Sequence, residues 1–505
     1  MPRILARACA ALGVLTLIAA CDSGVELPQP RLVLLYAPCT VNKQYLSPYN
    51  QEIAFTPFLK VFAEDSVVFL RHQTEAGQSG IAYASIFSGT QADRHGAYRH
   101  PVRLEDDLYL IAEAYADAGY ETFFWNAHPA ASGRLNYAQG VPRRNTIGRP
   151  LKAENPRFLR ILEKLQRDET YKAFVMTNFT VTHGPYHTRP LERFRARYPE
   201  EGRAISDEDA AHYTPLYSVN HHALSWNFPK SVETLQLSEQ DREKLVGVVE
   251  LLYAANVRSL DQLFGQVLLA IDSRGLRDQS LIAFTADHGE DLYRDHALFK
   301  WSHAMQLAPD ALGVPFLIRA PGLEPRRYEG VTRSMDVFPT LAGLSGIPLP
   351  DAAVRGRDLA AALGDHQPPP DLVAPSHTTV LVRSVFQAMH NPARQENWAL
   401  ARGFFPDEDV AHIWVSMREG DVVYKLRNLD GQEWGYQVFD LAVDPEERTN
   451  LYDPADPKHT EMASALTDYK ARLVKAYPLS TDGARERLLP EAEEAEMMRE
   501  LGYIR

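Results

Sequence analysis

The residues Asp287-His288-Gly289-Glu290 follow an apolar run, Leu281-Ile282-Ala283-Phe284-Thr285-Ala286. That run has the length and composition of a strand buried on both faces. Open α/β sheets carry their chemistry in the crevice at the carboxyl ends of such strands. A carboxylate beside an imidazole at that place is a metal-ligand pairing, although the same residues also suit a plain strand-to-turn exit. His303 lies fifteen residues beyond His288, ahead of a second apolar run, Val314-Pro315-Phe316-Leu317-Ile318.

Groups of this kind need a sheet to hold them, and strand and helix patterns alternate along the chain. Leu32-Val33-Leu34-Leu35-Tyr36 reads as a first buried strand ending in a loop that contains Cys39, and Val67-Val68-Phe69-Leu70 as a second. The small-residue stretch 79–89 predicts a helix stopped by Gly89. Leu108, Ile111, Ala112 and Tyr115 recur at helical spacing between an acidic start at Glu105 and Asp106 and a stop at Gly119. Thr122-Phe123-Phe124-Trp125 and the run 173–179 read as strands, the latter leading into His183-Gly184-Pro185-Tyr186. Residues 187–237 are polar and read as an irregular insertion over one face. Ser238 with Asp241 resembles a capping box. It opens a long helix whose apolar face runs from Leu245 to Ile271 and which Gly275 stops. The alternation predicts an α/β fold, a mostly parallel sheet with helices on both faces.

Prolines 368–370 mark a boundary. Beyond them, 410–417 and 421–426 around Gly420 read as a hairpin, and 460–476 and 490–502 as helices. Residues 31–367 are therefore expected to form the catalytic α/β domain, and 368–505 a smaller C-terminal α+β unit.

With 505 residues, 45% hydrophobic and 24% charged, the chain has the composition of a globular protein with a large core. Its formal net charge of −13, with no basic run to offset it, speaks against a nucleic-acid partner. Arg3 and Arg7 precede an apolar stretch, 8–20, too short to span a membrane comfortably. Leu17-Ile18-Ala19-Ala20-Cys21 resembles the lipobox of bacterial lipoproteins. Residues 1–20 are then a signal peptide, Cys21 carries lipid and 21–30 is a tether. The expected place is the bacterial cell envelope, at the membrane through the lipid anchor; a plain cleaved signal with a chance Cys is the alternative. Of the three cysteines, Cys9 leaves with the signal and Cys21 takes lipid, so Cys39 has no disulfide partner. It is either an inert core residue or a functional one.

From about residue 31 onward the chain resembles the sulfatase family of the alkaline phosphatase superfamily. Thr56-Pro57-Phe58-Leu59 is similar to the family's Thr-Pro-x-Leu, and Asp336-Val337-Phe338-Pro339-Thr340-Leu341 to its Asp-x-x-Pro-Thr-Leu. Gly356-Arg357-Asp358-Leu359 resembles Gly-Arg-Ser-Leu. Phe439-Asp440-Leu441, Asp444-Pro445-Glu446-Glu447 and Asn450-Leu451 resemble its C-terminal signature, and Leu501-Gly502-Tyr503-Ile504 a common ending.

The resemblance implies a site. The family's nucleophile stands ten residues before the glycine matched by Gly89, which is Ser79. True sulfatases convert a Cys or Ser there to formylglycine, directed by a following Pro or Ala and an Arg. Ile81 and Tyr83 occupy those places, so Ser79 is expected to remain a serine that also touches the metal. Counting back from Leu46-Ser47-Pro48-Tyr49 sets Cys39 on the family's first metal-binding Asp. Cys39, Ser79, Asp287 and His288 would then hold one divalent metal. A thiolate favours zinc over calcium, magnesium or manganese. By the same resemblance His183 and His303 contact the transferred anion or protonate the leaving group. Asn126 or His128 takes the place of one family lysine, and Lys300 either that of a second or that of a solvated charge. The remaining histidines, including His221 and His222, read as surface groups.

The expected function is metal-dependent hydrolysis or transfer of phosphate mono- or diesters through a serine nucleophile, acting on an anionic ester substrate. A sulfuric ester hydrolase and a catalytically inactive envelope binding lipoprotein are the alternatives.

Overall fold

The computed structural model describes residues 27–98, 101–201, 204–226, 228–294, 297, 299–303, 306–350, 352–364, 372–378, 413–427, 435–476 and 496. The expected signal segment with Cys21, prolines 368–370, most of the expected 490–502 helix and the Leu501-Gly502-Tyr503-Ile504 ending lie outside the described residues.

The main sheet has eight strands: β1 (Leu32–Tyr36), β2 (Val67–Gln73), β3 (Glu121–Ala127), β4 (Thr146–Ile147), β5 (Ala173–Phe179), β6 (Ser280–Thr285), β7 (Phe316–Arg319) and β8 (Arg326–Arg333). Their order is β4-β3-β5-β1-β6-β7-β2-β8. Only β7 runs against its neighbours, β6 and β2. β1 lies between β5 and β6, parallel to both. Successive side chains of a strand point to opposite faces, and β1 uses both. Leu32, Leu34 and Tyr36 join a core built with the long helix Glu239–Asp272, through residues such as Val248, Leu252 and Phe264. Val33 and Leu35 join the opposite core, with Tyr83 and Phe87 of the helix Ser79–Ser88 and Val337 and Leu341 of the helix Val337–Leu344. Burial on both faces is why these strands read as unbroken apolar runs.

The long helix starts as expected: Ser238 Oγ accepts from Asp241 N, and Asp241 Oδ2 accepts from Ser238 N at 3.0 Å. The helix Ser79–Ser88 ends at Gly89, which is left-handed at φ 61°. Two expectations are corrected. The helix placed between Glu105 and Gly119 covers only Ile111–Asp117, because Glu113 accepts from the Leu110 amide (2.8 Å) and sets the start there. The 187–237 insertion is not irregular. It forms the helices Leu191–Arg197, Asp207–Trp226 and Phe228–Thr234, since Tyr213, Tyr217 and Leu224 are buried in the core shared with the long helix.

The C-terminal unit is an antiparallel sheet of β9 (Ala374–Thr378), β10 (Trp414–Glu419), β11 (Val422–Arg427) and β12 (Gly435–Asp440), in the order β12-β11-β10-β9. β10 and β11 form the expected hairpin around Gly420. The helix Pro457–Ala476 covers the sheet through Met462, Leu466, Tyr469 and Leu473. This unit grips the loop before Ser79: the His377 amide donates to the Glu75 carbonyl (2.8 Å), and Tyr469 Oη donates to Glu75 Oε1 (3.3 Å).

Candidate active site

The carboxyl ends of β1, β5 and β6 meet at the first turn of the helix Ser79–Ser88. The loop after β1 is pinned from three sides. Cys39 N donates to the Phe179 carbonyl (2.8 Å), Thr182 Oγ1 to the Cys39 carbonyl (2.6 Å), and Val41 N to the His288 carbonyl (2.9 Å). Tyr253 of the long helix closes it, donating to the Thr40 carbonyl (3.0 Å) and accepting from Asn42 N (2.8 Å). Thr40 is held in the left-handed region at φ 62°, which costs a non-glycine residue about 1–2 kcal/mol. In exchange its amide donates to Asp287 Oδ1 at 3.1 Å. Tyr83 Oη donates to the Ala37 carbonyl (2.8 Å) and ties the Ser79 helix to the same loop.

The result brings Cys39, Ser79, Asp287 and His288 together, all buried. Ser79 Oγ is 3.1 Å from His288 Nε2 and 3.5 Å from Cys39 Sγ; Cys39 Sγ is 3.8 Å from His288 Nε2. His288 Nδ1 donates to the Gly289 carbonyl (2.9 Å), which leaves the Nε2 lone pair facing the group. Asp287 Oδ1 accepts from two backbone amides, whereas Oδ2 is buried with no hydrogen-bond donor. A buried carboxylate oxygen without a donor is costly unless a cation completes it. The ligand atoms of Cys39, Asp287 and His288 lie within 4.8 Å of one another, so the donor set fits a metal ion. Burial, then the charge of Asp287, holds the Cys39 thiol well above its usual range. The thiolate therefore needs a cation to form.

Two further histidines stack over this group. The His303 ring lies 4.3 Å from that of His288 at 20°, and His183 meets His303 edge-on at 4.9 Å. Burial pushes His183 down to about 3 and His303 well below the usual imidazole range. His183 Nδ1 donates to the Gly184 carbonyl (2.6 Å). His303 Nδ1 faces Glu290 Oε1 at 3.1 Å, and Glu290 Oε2 accepts from Tyr186 Oη at 3.0 Å. Glu290, fully buried, is pushed up to about 7. This carboxylate stands inside the Asp287-His288-Gly289-Glu290 stretch, but its pairing with His303 was not anticipated from sequence.

A cavity of about 1240 Å³ opens beside His183, lined also by Asn126 and His128 and by the guanidinium-bearing Arg134, Arg143 and Arg149. Asn126 donates to Asn178 Oδ1 (3.0 Å) and the Ala131 carbonyl (2.9 Å), and the His128 ring lies 5.6 Å from Tyr83. Lys300 is buried. Its ammonium is turned back onto the carbonyls of Arg294 and Ala297 and over the Tyr293 ring at 4.9 Å. His221 is not a surface group: it is half-buried, edge-on to Tyr217 at 5.3 Å, and its Nε2 lies 2.7 Å from where a Cβ on Gly184 would stand. His72, His95 and His377 are likewise buried. The His222 side chain lies outside the described residues.

The sulfatase family profile matches residues 40–347. Among curated relatives, arylsulfatase K of Bos taurus is 28% identical over 237 residues, 47% of this chain and 38% of that protein. Choline-sulfatase of Rhizobium meliloti is 28% identical over 312 residues, 61% of this chain and 52% of that protein. These matches thus span about half or less of the relatives' own length. The fold matches that of a phosphonate monoester hydrolase of Agrobacterium radiobacter, with a TM-score of 0.57 at 18% identity over 92% of this chain and 99% of that one. The chain belongs to the sulfatase family.

Proposed function

We propose that the chain is a metal-dependent hydrolase of anionic esters, phosphate mono- or diesters foremost, with unmodified Ser79 as nucleophile. One observation carries this: Ser79 Oγ sits 3.1 Å from His288 Nε2 and 3.5 Å from Cys39 Sγ, at the start of a ten-residue helix. Cys39, Asp287 and His288, with Ser79, would hold a single divalent ion, zinc in preference to calcium, magnesium or manganese because of the thiolate. Such an ion would lower the pKa of the serine hydroxyl and draw charge from the ester oxygens.

The chain's own groups supply the rest. Ser79 Oγ attacks phosphorus in line as the bond to the leaving-group oxygen breaks, a phosphoseryl ester forms, and water or an acceptor alcohol then attacks that phosphorus and expels the serine oxygen. The helix Ser79–Ser88 presents its first amides, which lack intrahelical acceptors, to the anion. Burial keeps His183 and His303 neutral in the free protein. An entering anion raises their proton affinity, so either ring can then give a proton to the leaving oxygen. Glu290 holds His303 through Nδ1 at 3.1 Å.

The names of the curated relatives favour a second reading, sulfate ester hydrolysis. It needs formylglycine at position 79, where Ile81 and Tyr83 depart from the maturation signal. The mass of the peptide containing Ser79 decides: an unmodified serine supports phosphoester chemistry, and formylglycine overturns it. We also place the activity at the bacterial cell envelope, anchored by lipid on Cys21. The mass of the mature N-terminal peptide tests that placement.

A further inference from the structure

The insertion between residues 187 and 237 supplies none of the expected metal ligands or proton donors, yet its helices hold the segment that carries His303. Lys300 N donates to the Ser225 carbonyl (3.2 Å), and Ser225 Oγ donates to the Trp301 carbonyl (3.3 Å), at the end of the helix Asp207–Trp226. On the other side Ser302 N donates to the Asp291 carbonyl (3.0 Å) and Asp291 N to the Ser302 carbonyl (2.8 Å). Residues 300–302 are thus sewn between the insertion and the residue that follows Glu290. His303 comes next, with its ring over His288 and its Nδ1 at Glu290.

Trp301 is the middle of that seam. It is 2% exposed, and its ring meets Phe228 at 5.5 Å, Tyr293 at 5.9 Å and Tyr217 at 6.0 Å. Phe228 and Tyr217 belong to the insertion helices. Tyr217 also stacks on Tyr186 at 5.7 Å and 24°, and Tyr186 Oη donates to Glu290. One insertion ring therefore braces both groups that hold His303. Trp301 bears two local costs there. Its φ of 47° lies in the left-handed region, where a bulky side chain is an outlier. Among the described residues no acceptor meets its buried indole N–H. Backbone strain of this kind persists only where the surroundings impose it, and it clusters at functional sites. We propose that Trp301 is a positioning residue: clamped by the insertion helices, it fixes the backbone ahead of His303 and so holds that ring in the site. This role rests on the proton donation given to His303 above and adds the insertion to the catalytic apparatus.

The test compares the full chain with Trp301→Ala, Trp301→Phe and Phe228→Leu; the last loosens the clamp from the insertion should Trp301→Ala fold poorly. kcat is measured on phenyl phosphate, whose leaving oxygen needs a proton, and on 4-nitrophenyl phosphate, whose leaving oxygen has little need of one. Partial loss of folded chain lowers both alike, whereas a displaced proton donor lowers the first more. In Trp301→Ala kcat on phenyl phosphate is expected to fall about tenfold more than on 4-nitrophenyl phosphate, with KM steady for both. Phe228→Leu shifts the ratio in the same direction by less, and Trp301→Phe, which keeps an aromatic ring in the clamp, brings it back toward the wild-type value. An ester ratio unchanged in both Trp301→Ala and Phe228→Leu overturns the proposal. Carbethoxylation by diethyl pyrocarbonate, read on the tryptic peptide 301–319 whose only histidine is His303, gives a measure independent of turnover. Labelling of His303 is expected to be faster in Trp301→Ala than in the wild-type chain. If the wild-type chain hydrolyses neither ester, the hydrolase reading fails; faster labelling then sustains the clamp on His303, and equal labelling overturns it.

Discussion

Replacing Glu290 by Gln separates the positioning of His303 from the integrity of the fold. Glu290 is fully buried and engages His303 Nδ1 at 3.1 Å and Tyr186 Oη at 3.0 Å. Gln has the same shape, can still accept from His303 and can donate to the Tyr186 oxygen, so only the charge is lost. A hydrogen bond to a charged group contributes about 1.5–3 kcal/mol against about 0.5–1.5 for a neutral one. The difference, roughly 1–1.5 kcal/mol, predicts a kcat five- to tenfold lower with KM and melting temperature nearly unchanged. Glu290→Ala behaves differently. It leaves the Tyr186 hydroxyl and His303 Nδ1 without this partner, at about 1–3 kcal/mol each, so stability falls as well. Tyr186→Phe removes one hydroxyl and is expected to cost about 1 kcal/mol of stability with little effect on kcat. Steady-state kinetics on an aryl phosphate and thermal melts of the three variants give the comparison. Wild-type kcat in Glu290→Gln, or a loss confined to stability, refutes the role given to Glu290.

Ser79→Ala should lower kcat by about three orders of magnitude or more while the melting temperature holds; retained turnover removes Ser79 as nucleophile. Cys39→Asp exchanges a soft donor for a hard one, so metal titration of the chelated protein should shift from zinc toward calcium or magnesium, and an unaltered zinc preference argues against Cys39 as a ligand. Burial lowers His72 to about 3 and His377 to about 4 from an ordinary value of 6.5. Between about pH 6 and 5 each ring is mostly protonated in the unfolded chain and neutral in the folded one, so each contributes a fall in stability of up to about 1.4 kcal/mol per pH unit as pH drops, opposed by Glu290, whose raised pKa gives the folded chain the extra proton. Urea titrations at stepped pH on the wild-type chain and on His72→Asn isolate one ring's share, and an identical pH slope in the two contradicts the burial of His72 as a neutral ring. Gly289→Ala would set a Cβ 1.8 Å from the Asp310 carbonyl oxygen, and soluble, fully active protein from that variant would show that the loop after β6 is not packed as described.

The strands that carry the site were legible because β1 and β6 are buried on both faces and read as unbroken apolar runs. The helix stop at Gly89 and the Ser238 cap were legible from local backbone chemistry. The family motifs pointed to Cys39, Ser79, Asp287 and His288, and the fold brings those four within contact. What was missed depends on residues distant in sequence meeting in space. Tyr213, Tyr217 and Leu224 drive helix formation in the insertion through burial against the long helix, while the polar residues between them hide the pattern. Glu290 meets His303 only because the intervening loop folds back. The burial of Lys300, with its ammonium on the carbonyls of Arg294 and Ala297, likewise depends on how the loop after β6 folds.

The central claim is that Cys39, Asp287 and His288 hold a metal ion that serves Ser79. Titrating zinc into the chelated chain while recording aryl phosphate turnover tests it most directly. The account predicts no turnover without metal, full recovery at one zinc per chain, and no recovery in Asp287→Ala. Turnover that survives complete chelation, or recovery in Asp287→Ala equal to that of the wild-type chain, would contradict it.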